Sequence, residues 1–269
     1  MSIIVVHSKD VQIEGMEEQD GWAISEFRLP ITGKIGSATT AFLSIFQPGS
    51  THAKHLHEAS DEIAVYLSGK GVVGQGNSCA DVSAGHCRLM PKGSVHFFYN
   101  ETEDRDARVI GFYMNAPNVA GTGYKFCGAV TPEDLAKARD GLEEGILVRF
   151  EDADAVISGL PESWKQAEVR APIGAHNGSP NSLLHITMRP GRFIEAFQLT
   201  NAEAIYYVES GEAKISDTVL GHDISHGSFA FVPLDIPHEI HNTGDVILEM
   251  FLVLTGAGSL EEAVKPNFY

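Results

Sequence analysis

The chain is written twice. The run Thr40–Phe46 is followed by Gln47, Pro48 and Gly49, and the run Ser182–Met188, 142 residues later, is followed by Arg189, Pro190 and Gly191. The same offset pairs Ile63 with Ile205, Ser68 with Ser210, Gly69 with Gly211, Gly85 with Gly227, Pro91 with Pro233, His96 with His238 and Asn100 with Asn242. Turn glycines, a proline, a histidine and an asparagine in one register identify two homologous domains. Each copy reads as short apolar runs punctuated by Gly and Pro. In the first they fall at residues 40–46, 52–57, 62–67, 71–75, 86–90, 96–99 and 107–114; in the second at 182–188, 193–199, 205–208, 213–216, 228–232, 238–241 and 246–254. That pattern predicts all-β domains of the sandwich or small-barrel type, not βαβ units.

Between the copies, Thr131, Pro132 and Asp134 predict a capped helix start, with the helix running to about Arg139 and ending near Gly141, and a further short turn at 162–166. The expected division is an N-terminal arm over 1–34, a first barrel over 35–115, a connector over 116–180, a second barrel over 181–256 and a tail over 257–269. The apolar residues 3–6 are expected as an edge strand packing across the second domain.

Acidic residues outnumber Lys plus Arg by 36 to 19, a formal charge of −17. Such a surface disfavours nucleic acid and anionic membrane as partners, leaving a small-molecule substrate as the expected one. No apolar run is long enough for a spanning helix. The first residues lack a signal-peptide pattern, and Cys79, Cys87 and Cys127 have no disulfide-framework spacing, so a cytoplasmic setting is expected. A homodimer is compatible with this reading.

The chemistry lies in a histidine cluster of the first copy. His55 and His57 are two apart and share one face of a strand. Glu62 opens the next run after a short turn, where a hairpin would return it beside them, and His96 comes from a later run. Three imidazoles and one carboxylate suit Mn, Fe, Ni, Cu, Co or Zn, with coordination positions left for substrate. Tyr66, Gln75, Arg88 and Phe98 are candidate pocket residues. Arg88 and Lys92 lie near the last ligand and could pair with a carboxylate, Arg88 sharing the parity of His86 and Met90, but they read first as surface charges on a turn. His52, three residues before His55, is expected on the opposite face of a strand, as a loop or second-sphere group or otherwise at the surface. Cys79 is expected in a long turn and Cys87 as a small buried apolar group. The second copy has lost the set: Phe197, Leu199 and Ala204 stand where His55, His57 and Glu62 stand, and only His238 survives.

The spacings Gly49…His55-Leu56-His57…Glu62…Gly69 and Gly85…Pro91-Lys92-Gly93…His96…Asn100 resemble the two signature motifs of the cupin family. The chain is similar to bicupins over both repeats, about 35–115 and 180–256. The resemblance implies two tandem jelly-roll-like β-barrels joined by a short helical connector. It implies His55, His57, Glu62 and His96 as ligands of one divalent transition metal, Fe or Mn first and Ni, Zn, Co or Cu also compatible. Glu62 is the candidate catalytic group. The implied activity is a metal-dependent dioxygenase that chelates a small organic substrate. The alternatives are a non-oxidative decarboxylase, isomerase, lyase or ureidoglycine-aminohydrolase-like enzyme, and a non-catalytic small-molecule binder. Ureidoglycine aminohydrolases keep their complete site in the second repeat. Oxalate-decarboxylase-like bicupins are longer and carry metal motifs in both halves. Gentisate-dioxygenase-like bicupins place the metal in the first half but lack the glutamate.

Overall fold

The computed structural model describes residues 2–15, 24–156 and 160–264. The chain divides into two compact units. The N-terminal one comprises Gln12–Gly33 and Ala38–Arg149; the C-terminal one comprises Met1–Val11, Lys34–Ser37 and Phe150–Tyr269. Both are overwhelmingly β-strand, and the described residues form four sheets, two in each unit.

In the N-terminal unit one sheet runs Ile146–Arg149, His86–Met90, Glu62–Ser68, Ala107–Tyr113, Thr40–Phe46, Glu26–Ile31. The other runs Tyr124–Gly128, Thr51–His57, His96–Asn100, Lys70–Gln75, Ser78–Ser83. Alternating side chains from both sheets meet in one core that includes Phe46, Tyr66, Val73, Val82, Phe98 and Val109. Each such fully buried side chain stabilises the fold by roughly 1.5–3 kcal/mol. The left-handed turn at Gly69, with φ +86°, lies against Ala107, so a side chain there would meet both strain and a clash. Its counterpart Gly211 repeats the conformation at φ +84°.

The C-terminal unit repeats this plan. Its larger sheet runs Ile4–His7, Ser228–Val232, Glu203–Ser210, Leu248–Thr255, Ser182–Met188, Glu168–Ile173, and its smaller one Phe193–Phe197, His238–Asn242, Glu212–Ser216, Gly221–Ser225. Phe197, Leu199 and Ala204, in the places of the three lost ligands, are buried in its core.

The offset of 142 extends further than the motifs. Ile4–His7 pairs antiparallel with Ser228–Val232, and Ile146–Arg149 pairs with His86–Met90 in the equivalent register, Ile4 opposite Phe231 and Ile146 opposite Leu89. Each repeat therefore opens with a strand that belongs to the other unit. This redraws the expected arm and connector. The 1–34 segment divides between the units, and the 116–180 segment contributes strands to both, including Tyr124–Gly128 and Glu168–Ile173. Residues 16–23 of the arm and 265–269 of the tail lie outside the described residues.

The helix start is as expected: the Thr131 side chain accepts from the Asp134 backbone N–H and the Asp134 carboxylate accepts from the Thr131 N–H. The helix itself is one turn, Pro132–Leu135, and stops short of Arg139. Arg139 instead reaches Asp81 and both carboxylate oxygens of Glu101. The segment around Cys79, expected as a turn, is the strand Ser78–Ser83, with Cys79 buried.

Candidate metal centre

His55 and His57 project from the strand Thr51–His57, and His55 lies directly across from His96 in the antiparallel register with His96–Asn100. Glu62 opens the strand Glu62–Ser68, which belongs to the opposite sheet. The turn before it is a corner between sheets, not the expected hairpin, and the carboxylate faces the histidines across the interior. Backbone bonds from Ala59 to Thr122 and from Met114 to Asp61 fix this corner.

The four side chains are buried, and one ligand atom from each lies within 4.8 Å of all the others. His57 Nε2 is 3.1 Å and His96 Nε2 is 3.3 Å from Glu62 Oε2. The hydrogen bonds on the far side of each ring assign the protons. His55 Nδ1 donates to the Ala53 carbonyl at 2.7 Å and His96 Nδ1 to the Ser94 carbonyl at 2.9 Å. His57 Nδ1 faces Thr122 Oγ1 at 2.8 Å, and that hydroxyl spends its own hydrogen on the Val119 carbonyl, so it accepts from the ring. Each neutral ring therefore turns a bare Nε2 lone pair toward the centre. Lone pairs facing an ionised carboxylate at about 3 Å require a positive charge between them. An added proton is opposed by burial, which lowers the pKa of His96 and holds that of His55 well below the usual imidazole range. Burial acts to raise Glu62, but the imidazoles of His57 and His96 beside it outweigh that and hold its carboxyl well below the usual range. The donor set fits a divalent transition metal, with second-layer bonds that orient every imidazole.

Beside three of the ligands, His55, Glu62 and His96, is a cavity of about 30 Å³ that His52, Tyr66, Arg88 and Phe98 also line, among others. That is room for about two waters. Gln75 does not line it; its amide oxygen accepts from Arg88 Nη2. Arg88 is not a surface charge: its side chain is buried, 1% exposed, and crosses to the other sheet.

His52 does not face away from His55; it takes the second-sphere place, one of its expected alternatives. A register irregularity between His52 and His55 cancels the strand alternation, and the two rings stack with centroids 3.9 Å apart. Part of His52 stays exposed, yet desolvation pushes its pKa down to about 3 against the pull of Glu62. Three further residues shape the site without a signal in the motifs. Thr122 orients His57, Tyr113 packs 4.8 Å from the His57 ring, and Tyr124 lies 5.4 Å from His55. Thr122 and Tyr124 come from the stretch expected to be connector.

In the C-terminal unit His238 Nδ1 donates to the Ile236 carbonyl at 3.0 Å, the equivalent of the His96 bond. Its Nε2 accepts from the Tyr206 phenol at 2.8 Å. A hydroxyl proton thus takes the place that a cation would take in the first unit.

Residues 42–113 match the family of cupin domains. Oxalate oxidase GF-3.8 of Triticum aestivum is 32% identical over 82 residues, 28% of this chain and 37% of that protein. Oxalate oxidase 2 of Hordeum vulgare is 30% identical over a stretch of the same length. The chain thus spans just over a third of the length of the curated relatives it matches. Among solved structures, oxalate decarboxylase from Bacillus subtilis at pH 4.6 superposes with a TM-score of 0.73 at 14% identity, covering 96% of this chain and 78% of that one. A structure of the same enzyme described in connection with its Mn(II) centres gives 0.71 at 15% identity, with the same coverage. The chain carries a cupin domain in its first half and, over nearly its whole length, the bicupin fold.

Proposed function

We propose that the N-terminal unit is the working half of a metal-dependent enzyme that acts on a small organic acid by non-oxidative chemistry, decarboxylation foremost. The observation that carries this reading is the set of three bare Nε2 atoms and one ionised carboxylate converging in a buried site. His55, His57, Glu62 and His96 would hold the ion, and Mn is favoured because one of the structural relatives is described by its Mn(II) centres. A divalent ion held there supplies Lewis-acid polarisation of a bound carboxylate. The chain's own contribution is orientation and exclusion of water: Phe42, Phe46, Phe98 and Met90 wall the cavity. Its small volume disfavours the flavonol-sized substrates of a dioxygenase and favours the smallest organic acids. The relatives, oxalate oxidases and an oxalate decarboxylase, point to the same size class.

The test is metal analysis of anaerobically purified protein, followed by incubation with oxalate and other short acids while CO2, oxygen and peroxide are followed together. About one equivalent of metal per chain, and CO2 release without matching oxygen uptake, are the expected results. No metal after reconstitution with Mn(II) would refute the metal reading. Oxygen consumed in step with CO2 would replace the non-oxidative reading with an oxidase.

A further inference from the structure

Arg88 sits where a fold has no evident need for it. Its strand, His86–Met90, lies in one sheet, and its guanidinium is anchored on the other: Nη1 donates to the Phe97 carbonyl at 3.1 Å, Nη2 to the Gly74 carbonyl at 2.7 Å and to Gln75 Oε1 at 3.1 Å. All three acceptors are neutral. Among the described residues no carboxylate lies within ion-pair distance of it, and its Nε–H has no acceptor. Burying a guanidinium without an anion is costly. Glu62, in the same cavity, is committed to His57 and His96.

The second unit shows that the fold can do without this charge. Arg88 faces Ala64 across neighbouring strands, and at the equivalent place Ala230 faces Tyr206. The large and small partners are exchanged, the interior is filled, and the unit that keeps no metal ligand set also keeps no arginine at this place. Arg88 is therefore tied to the ligands and not to the architecture.

We propose that Arg88 is the anion anchor of the site and that the substrate is a compact dicarboxylate, one carboxylate on the metal and the other on Arg88. This rests on the metal reading above. A divalent ion, one glutamate and one guanidinium leave the site two charges positive, which a small dianion neutralises. The cavity of about 30 Å³ limits that dianion to a few heavy atoms. Tyr66 lies against the guanidinium, and burial keeps its phenol protonated, so it is a further donor on the same side. Gln75 acts only as a positioning residue, through its bond to Arg88.

The test uses the full chain loaded with Mn(II), with malonate and its neutral diamide as probes, calorimetry as the readout and metal content measured on each sample. Wild type is expected to prefer malonate. Arg88→Met is expected to retain its metal and lose malonate affinity by ~10- to 100-fold, the loss of one or two charge-assisted hydrogen bonds, with malonamide little affected. If Arg88→Met does not fold, Arg88→Lys against Arg88→Gln decides: malonate bound at least ~10-fold tighter by the lysine variant sustains the proposal, and equal affinity overturns it. Metal retained with malonate affinity indifferent to residue 88 overturns the anchor alone. Wild type that binds no metal overturns the metal reading and the anchor with it.

Discussion

Replacing Thr122 with valine separates what a metal needs from what the fold needs. The Thr122 hydroxyl is buried, accepts from His57 Nδ1–H at 2.8 Å and donates to the Val119 carbonyl at 2.8 Å. Valine keeps the shape and removes both bonds. Without metal, His57 has a second choice: it can move its proton to Nε2 and donate to Glu62 Oε2, 3.1 Å away. With metal, Nε2 is occupied and Nδ1–H must stay, now buried and unpaired, at a penalty of about 1–3 kcal/mol. The penalty therefore falls mainly on the metal-bound state and lowers metal affinity by ~10- to 100-fold. Competition for Mn(II) against a fluorescent chelator gives the affinity, and thermal midpoints with and without Mn(II) give the stability. Thr122→Ser, which keeps the hydroxyl, is expected to stay within about threefold of wild type. Affinity of Thr122→Val within twofold of wild type would refute the assignment of the His57 proton and the role given to Thr122.

Glu62→Gln keeps the shape but not the charge; it is expected to bind Mn(II) more weakly and to lower turnover at saturating metal by ~100-fold, and unchanged activity on short acids would make Glu62 a bystander. Gly71→Ala would place a Cβ 1.9 Å from the Tyr99 carbonyl oxygen, a backbone atom that cannot step aside, so urea denaturation should show a loss of more than about 2 kcal/mol. Burial holds His238 at about 4 against an ordinary 6.5, so the unfolded chain binds the extra proton between those values. Stability is then full above the upper value and falls by up to about 3 kcal/mol as the pH drops to the lower one. Tyr206→Phe combined with His238→Leu should reduce the pH dependence of the urea midpoint across that window by the share of His238 and leave metal content unchanged.

The strands and the four ligands were legible because each rests on a local rule. Turn glycines and prolines bound the strands, and residue parity puts His55 and His57 on one face. What failed were features set by distant partners. His52 was placed on the face away from His55 because alternation assumes an unbroken ladder, and the irregularity before His55 depends on pairing with the later strand His96–Asn100. Arg88 was named as a candidate pocket residue but weighed first as a surface charge, because nothing local announces acceptors on Phe97 and Gly74 of the opposite sheet. The arm and connector were misdrawn for a different reason: the signal was present. Ile4 and Val6 recur as Ile146 and Val148, and Arg28, Pro30 and Ile31 as Arg170, Pro172 and Ile173, all at the offset of 142. The first exchanged strand was expected, as residues 3–6 against the second domain; following the repeat outward from the motifs would have found the second.

Because the chain carries the same plan twice, the second unit distinguishes residues that build from residues that react. Asn100 Nδ2 donates to the Phe46 carbonyl at 2.9 Å and its oxygen accepts from the Thr102 N–H; Asn242 does the same with Met188 and Gly244. A residue that survives in the unit without the ligand set, making the same bonds, is part of the fold. By that criterion Asn100 is structural despite its place in the motif, while His55, His57, Glu62 and Arg88 are chemical, since Phe197, Leu199, Ala204 and Ala230 replace them together. His96 and His238 share the bond on Nδ1 and differ only at Nε2, which meets Glu62 in one unit and the Tyr206 hydroxyl in the other. Restoring two histidines and a glutamate at positions 197, 199 and 204 should therefore fail to create a second Mn(II) site while Tyr206 still holds His238. Adding Tyr206→Ala should free Nε2 and raise the metal content from one equivalent toward two. A second equivalent gained with Tyr206 in place would show that the phenol is no barrier and that the missing ligands alone silence this unit.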